Sequence, residues 1–289
     1  MNNNFLSAIN AIDSINKSYT FGVYIPSLGR EVQFTQMTTA QQKAFIKNTM
    51  APGNTGTSTL VYATHSLLKN NCAEPDVNVD DFTLIDKIIA CTMIRIMSVG
   101  DKMSVTIGED EEANKQGITV NIQLTQLYNQ MLEKWNKIEF KNIINPEKCP
   151  FTVEIGIPTV GDELKIEQDA QEKTKKRVND KSNQDEIAYT FGELFLQEIV
   201  KFVRKVTIDQ GEDEEGNHKI IEVNMLDLPT RNRLDLLEKL PSQVMSPAIV
   251  EINKIVEQTS DLQVLNIDHE GQHYEYKVEV LNSAFFTVS

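Results

Sequence analysis

Three cysteines and four histidines are all that this 289-residue chain offers of the side chains most used for metal binding, redox work and nucleophilic catalysis. Cys72, Cys91 and Cys149 are odd in number and far apart. They form neither a disulfide framework nor a CxxC ligand pair, and the spacing predicts a reducing, cytoplasmic setting. A Gly-rich phosphate loop, a G-x-S-x-G elbow and a Cys/His nucleophile context are all missing, which leaves little for acid–base or nucleophilic chemistry. Positive charge is scarce: 28 Lys plus Arg stand against 42 Asp plus Glu, for a net charge of −14. Phosphate neutralisation needs clustered cations, so nucleic acid is not an expected partner, whereas a protein with a basic patch is. Long apolar runs are absent too. The richest stretch, residues 84–99, is broken by Asp86, Lys87 and Arg95, so no membrane insertion is expected. The opening residues Met1 to Leu6 lack the basic region of a secretory signal.

What is present is enough for a packed interior. Hydrophobic residues make up 40% and charged residues 24%, and the length suits one large domain or two ordinary ones. Residues 4–17 place Phe5, Ile9, Ile12 and Leu6 along one side of a short amphipathic helix. Residues 21–25 and 31–34 alternate around Pro26-Ser27-Leu28-Gly29, the turn chemistry of a β-hairpin. Thr38 or Thr39 then caps a helix to about Met50, with Gln42 placed for a capping box. Residues 51–56 break it, and a second helix covers 57–69. Asp80 or Asp81 is read as the cap of a third helix to Val99, apolar around most of its circumference and therefore central and buried, with Gly100 at its end. A strand (103–107), an acidic loop (108–116), a strand (118–124), a helix (124–135) and a strand (138–144) follow. The second half opens at Phe151.

Three matches in the same order suggest a duplication. Residues 25–34 (IPSLGREVQF) resemble 157–166 (IPTVGDELKI), Gly108-Glu-Asp-Glu-Glu112 recurs as Gly211-Glu-Asp-Glu-Glu215, and Leu132-Glu-Lys-Trp135 recurs as Leu237-Glu-Lys-Leu240. The expected architecture is α+β, with an N-terminal helix (1–19) and two diverged copies (20–145 and 146–289) of a β-hairpin-plus-helix unit, each with a mostly antiparallel sheet. Residues 164–184, with Lys173 to Arg177, read as an exposed charged helix.

One segment matches a catalytic pattern literally. His269-Glu270-Gly271-Gln272-His273 is H-E-x-x-H, which binds zinc only on a helix. Here strand-like alternation flanks a turn sequence, Gly271 weakens a helix, and no third ligand is evident. A zinc hydrolase is therefore a remote alternative. The acidic loops at 109–112 and 212–215 lack EF-hand spacing and read as solvated hairpin loops. His65 and His218 stand alone. No catalytic, cofactor or metal residue is assigned.

The hairpin at Ile25–Phe34, the Gln41-Gln42-Lys43 helix, Leu84-Ile85-Asp86 and the close Ile94-Arg-Ile-Met-Ser-Val-Gly100 together resemble the baseplate hub and hub-assembly proteins of T-even-like myophages. Those share an L/I-P-S-x-G-K hairpin and an I-R-x-x-S-V-G helix end. The likeness is good over about 1–110 and loose beyond, and it departs at Arg30, where Lys is usual, and in the linker at 51–59. It implies a non-enzymatic structural or assembly component of the central hub of a contractile phage tail, in the virion, assembled in the host cytoplasm. The implied partners are hub, tube-initiator or tape-measure proteins and further copies of the chain, in threes or sixes. An assembly chaperone absent from the mature virion is the alternative. Expected contact residues are Phe5, Leu6, Ile9 and Ile12 of the first helix, Pro26, Leu28, Gly29 and Arg30 of the hairpin tip, and Phe285 and Phe286 in the apolar tail 281–288.

Overall fold

The computed structural model describes residues 3–49, 56–108, 117–177, 195–212 and 218–287. It divides the chain into two compact units, residues 1–137 with 259–289, and residues 138–258. Both mix helices with antiparallel strands, so the α+β class holds.

In the first unit, α1 (Asn3–Ser18) precedes the hairpin β1 (Thr20–Ile25) and β2 (Arg30–Thr35). Their register runs from Thr20↔Thr35 to Ile25↔Arg30. A turn of 3-10 helix over Pro26–Leu28 joins them, closed by Gly29 at φ 63°, a conformation that glycine adopts without a Cβ penalty. Alternation buries Val23, Ile25, Val32 and Phe34 on one face. Helices α2 (Thr39–Thr49), α3 (Gly56–Asn71) and α4 (Leu84–Val99) follow, and α4 lies against β1, α3 and α5 (Leu124–Lys134). As its pattern predicted, α4 is the buried rod, with Ile88, Ile89, Cys91 and Ile94 inside. The hairpin β3 (Lys102–Ile107) and β4 (Ile118–Gln123) leads into α5. The C-terminal hairpin β9 (Val264–His269) and β10 (Gln272–Lys277) also belongs to this unit.

The second unit is built on a four-stranded antiparallel sheet in the order β5 (Ile143–Ile144), β6 (Phe151–Ile155), β7 (Val203–Glu212), β8 (His218–Asn224). Helices α6 (Val160–Arg177), α7 (Thr230–Lys239) and α8 (Ser242–Asp261) belong to it, the last residues of α8 grouping with the first unit. Its core joins Val153, Val203 and Val206 of the sheet to Leu234 and Leu237 of α7 and to Val244, Ala248 and Ile252 of α8. Asp162, 6% exposed, sits between Arg204 (2.7 Å) and Arg233 (3.7 Å), and each arginine also donates to backbone carbonyls.

Several local expectations need correction. The second copy was expected to open with a hairpin at 157–166. Instead β6 ends at Ile155, and Thr159 with Asp162 forms a reciprocal cap from which α6 runs on. Pro158 and Gly161 match Pro26 and Gly29, but Asp162 three residues after Thr159 is a helix start, and that local chemistry prevails over the turn pattern. The expected boundary at 145/146 is also displaced, because residues 259–289 group with the first unit. The later anchors fare differently. Val105↔Val120 and Val206↔Val223 occupy matching places in two hairpins, and each hairpin feeds a helix that ends at its Leu-Glu-Lys. The strand expected over 138–144 shrinks to Ile143–Ile144. The break at 51–55, the acidic residues 109–112 and 213–215, and 178–184 of the charged segment lie outside the described residues.

The cap of α4 is Thr83, not Asp80 or Asp81. Thr83 Oγ accepts from the Asp86 amide (3.2 Å), and Asp86 Oδ2 accepts from the Thr83 amide (2.6 Å). Asp80 and Asp81 lie in the preceding 3-10 turn. Likewise Gln41, not Gln42, completes the box with Thr38. Thr83→Ala removes one acceptor and is expected to cost about 1 kcal/mol. Urea denaturation checks this, and an unchanged midpoint would refute it.

Candidate interaction surfaces

Among the described residues helix α1 is the least covered element. Residues 4–20 are all exposed, among them Phe5 (59%), Leu6, Ile9, Ile12 (57%) and Ile15. At 100° per residue, Phe5, Ile9, Ile12 and Ile15 fall on one arc, and Asn10 and Ser14 lie opposite. A sixteen-residue helix with so little covering is marginal in water by itself, and burial of that arc is what would stabilise it. Its side chains carry only Asp13 and Lys17 as charges, so an approaching surface meets almost none of the chain's overall negative charge.

The hairpin tip divides its roles. Pro26 is buried, so this expected contact residue packs inward, while Leu28 (43%), Gly29 and Arg30 remain exposed. The tip is held from below by Asp86. Its carboxylate is fully buried and accepts from the amide of Ser27 (3.0 Å) as well as from the amide and hydroxyl of Thr83. One residue thus caps α4 and pins the turn. T-x-x-D ahead of an apolar run signalled the cap, but nothing local signalled the Ser27 bond. Arg30 Nη1 meets Glu74 Oε2 at 2.8 Å, and Glu74 Oε1 accepts from the Gln33 amide at 2.7 Å. The amide bond first and Arg30 second hold the Glu74 carboxyl below its ordinary value. A depressed carboxylate stabilises the fold above its unfolded pKa, and the contribution is lost as pH falls through the folded pKa. Glu74→Gln is therefore expected to flatten the acid limb below about pH 4, as seen in urea midpoints measured across pH. An equally steep limb would contradict this.

The tail is a correction. Phe285 and Phe286 are 1% and 0% exposed and cannot serve as contact residues. They sit in a 3-10 turn over Ser283–Phe286, where the Phe286 ring lies 4.4 Å from that of Phe45. Arg95, 1% exposed, is the latch. Its Nε donates to the Phe285 carbonyl (2.5 Å), Nη2 to that of Thr287 (3.3 Å) and Nη1 to that of Gly100, while Gln42 Nε2 donates to Phe286 O (2.7 Å). Burial pulls the Arg95 guanidinium below its usual value, opposed by Asp101. The sequence marks the tail as apolar, either a contact surface or a last strand of its own sheet, and gives no sign of this packing because its partners lie 190 to 244 residues upstream.

The H-E-x-x-H segment lies on a hairpin. His269 ends β9, Gln272 opens β10, and Glu270 (φ 51°) and Gly271 (φ 79°) make a two-residue left-handed turn. His273 pairs across with Asp268 and its Nδ1 lies 2.9 Å from Oδ1, whereas His269 pairs with Gln272. Neighbouring positions on a strand face opposite sides, so the two imidazoles lie on opposite faces. Among the described residues no group of three or more His, Cys, Asp or Glu is placed to hold a metal. His65 Nε2 lies 2.7 Å from Asp80 Oδ1. Cys91 is fully buried, its thiol pushed up to about 12 by desolvation, which removes it as a nucleophile. Among the described residues no helix is long and apolar enough to cross a membrane.

A protein-family model described as T4 bacteriophage base plate protein matches residues 16–264. No curated protein and no solved structure matches the chain.

Proposed function

Because this chain belongs to the family of T4 bacteriophage base plate proteins, we propose that it works in the central hub region of a contractile tail base plate, as a structural or assembly component acting through protein–protein contacts. The observation that carries the contact mechanism is α1, a helix whose apolar arc of Phe5, Ile9, Ile12 and Ile15 is left uncovered by its own fold. Leu28 and Arg30 at the hairpin tip supply a second surface, held rigid by Asp86 and Glu74. The partners are other base plate and tail proteins, with further copies of the chain as one form of contact.

The test is a phage in which the gene is silenced. Tails lacking base plates, or none at all, are expected by electron microscopy, with rescue by the chain supplied in trans. Complete base plates in its absence would end the reading. Mass spectrometry of purified virions then separates the roles, since a structural component remains in the particle and an assembly chaperone does not.

A further inference from the structure

A cleft of about 450 Å³ opens between β4 and β9 in the first unit. The consecutive residues Asn121, Ile122 and Gln123 border it on one side and residues 265–268 on the other. Side chains alternate along a strand, so bordering by consecutive residues means that the cleft meets strand edges and not one sheet face. Among the described residues β4 pairs only with β3, and β9 only with β10.

The hydrogen-bond phase shows what those edges present. In an antiparallel pair, residues alternately bond their partner strand and turn their N–H and C=O away from it. Leu124 N–H donates to Asp101 O (2.8 Å), which puts Ile122 in the inward set and turns Asn121 and Gln123 outward from β3. Val278 N–H donates to Gln263 O (2.8 Å), which likewise turns Val264, Asn266 and Asp268 outward from β10. The Val264 carbonyl confirms the phase, because it accepts from Gln130 Nε2 of α5. Beyond that bond, the walls offer outward backbone groups at Asn121 and Gln123 facing those at Asn266 and Asp268. Ile122 and Leu265, which turn inward toward their own hairpin partners, are buried beneath the cleft.

We propose that this cleft receives a short extended segment of a partner protein, which adds as a strand between β4 and β9 and joins the two hairpins into one sheet. Two facing rows of outward N–H and C=O groups call for a peptide backbone. A compact apolar ligand would leave the walls unbonded. Outward groups two residues apart span about 7 Å, so three or four extended residues suffice. Among the described residues Lys102 and Asp268 are the only charged ones bordering the cleft, so on a chain of net charge −14 a polar, nearly neutral segment enters without repulsion. Most of the β9 wall lies beyond the residues matched by the family model.

The probes are labelled fifteen-residue peptides tiling the other tail proteins, with a second set tiling this chain, titrated against the full-length protein by fluorescence anisotropy. The choice of the first set rests on the tail reading, which fails separately if the silenced phage builds complete base plates. A peptide of the first set is expected to bind. Methylating any one backbone nitrogen at successive central positions is expected to weaken it about tenfold, because a strand between two edges uses every N–H. Gln123→Pro and Asn266→Pro should weaken binding similarly, since each removes an outward donor without breaking an internal rung, while Gln123→Ala and Asn266→Ala stay within about threefold. Sensitivity at alternate peptide positions only would mean pairing with one edge and overturns insertion. Binding by the chain's own peptides alone, or by none, overturns the proposal. The methylated peptides act on the unmodified protein, so the test stands even if a proline variant fails to fold.

Discussion

Arg95→Met is expected to lower the unfolding free energy of the first unit by about 3 kcal/mol. The side chain is buried to 1% exposure and donates to the carbonyls of Phe285, Thr287 and Gly100. Two effects oppose each other. Removing a buried cation relieves its desolvation, and methionine fills part of the same volume. Yet truncation leaves up to three carbonyls without a donor, each worth about 1–3 kcal/mol when buried. Desolvation lowers the Arg95 pKa without bringing a guanidinium near neutrality, so its hydrogen bonds are charge-assisted in the wild type. The lost bonds outweigh the relief. Arg95→Lys keeps the charge but not the planar fork and should fall between wild type and Arg95→Met. Urea denaturation gives the stability, and carboxypeptidase digestion gives the accessibility of residues 283–287, which should be trimmed faster in Arg95→Met. A wild-type midpoint with an equally protected tail would show that the latch does not hold the tail.

The contrast between α4 and the tail shows what could be read from the sequence. The burial of α4 followed from apolar residues around most of its girth, a property of sixteen consecutive positions. The β1–β2 hairpin followed from alternation and Pro26/Gly29, again local chemistry. The hairpin placement of His269 and His273 followed from the flanking period and Gly271. Phe285 and Phe286 gave no such cue, because Phe45, Arg95 and Gln42, the residues that cover or bond them, are distant in sequence. The same distance hides the Asp86–Ser27 bond and the grouping of residues 259–289 with the first unit. At residues 157–166 the failure is of another kind. Two segments can share Ile-Pro-x-x-Gly and still differ in structure, since Asp162 gives Thr159 a capping partner where the matching position of the β1–β2 hairpin is Arg30. The acidic-loop anchor sits in a hairpin both times because the flanking Val105-Thr-Ile107 with Val120-Asn121, and Val206-Thr-Ile208 with Val223-Asn224, set strand period as well as identity.

Phe5→Asp with Ile12→Asp is expected to leave stability within about 0.5 kcal/mol of wild type while lowering phage yield in a complementation assay by roughly 30-fold or more. The stability half follows from exposure: the two side chains are 59% and 57% exposed, so an aspartate there meets water in the isolated chain. The assembly half follows from hot-spot energetics, in which a buried aromatic or aliphatic anchor contributes about 2 kcal/mol or more and a charge in its pocket adds the cost of desolvation. The matched control is Asn10→Asp with Ser14→Asp, which adds the same charge to the opposite arc of the same helix. That pair should leave yield within about threefold of wild type, since rim charges chiefly alter association rates. Equal losses from both pairs would point to charge or helix stability instead of the apolar arc. A wild-type yield from Phe5→Asp with Ile12→Asp would remove α1 as the contact surface and leave Leu28 and Arg30 at the hairpin tip to account for it.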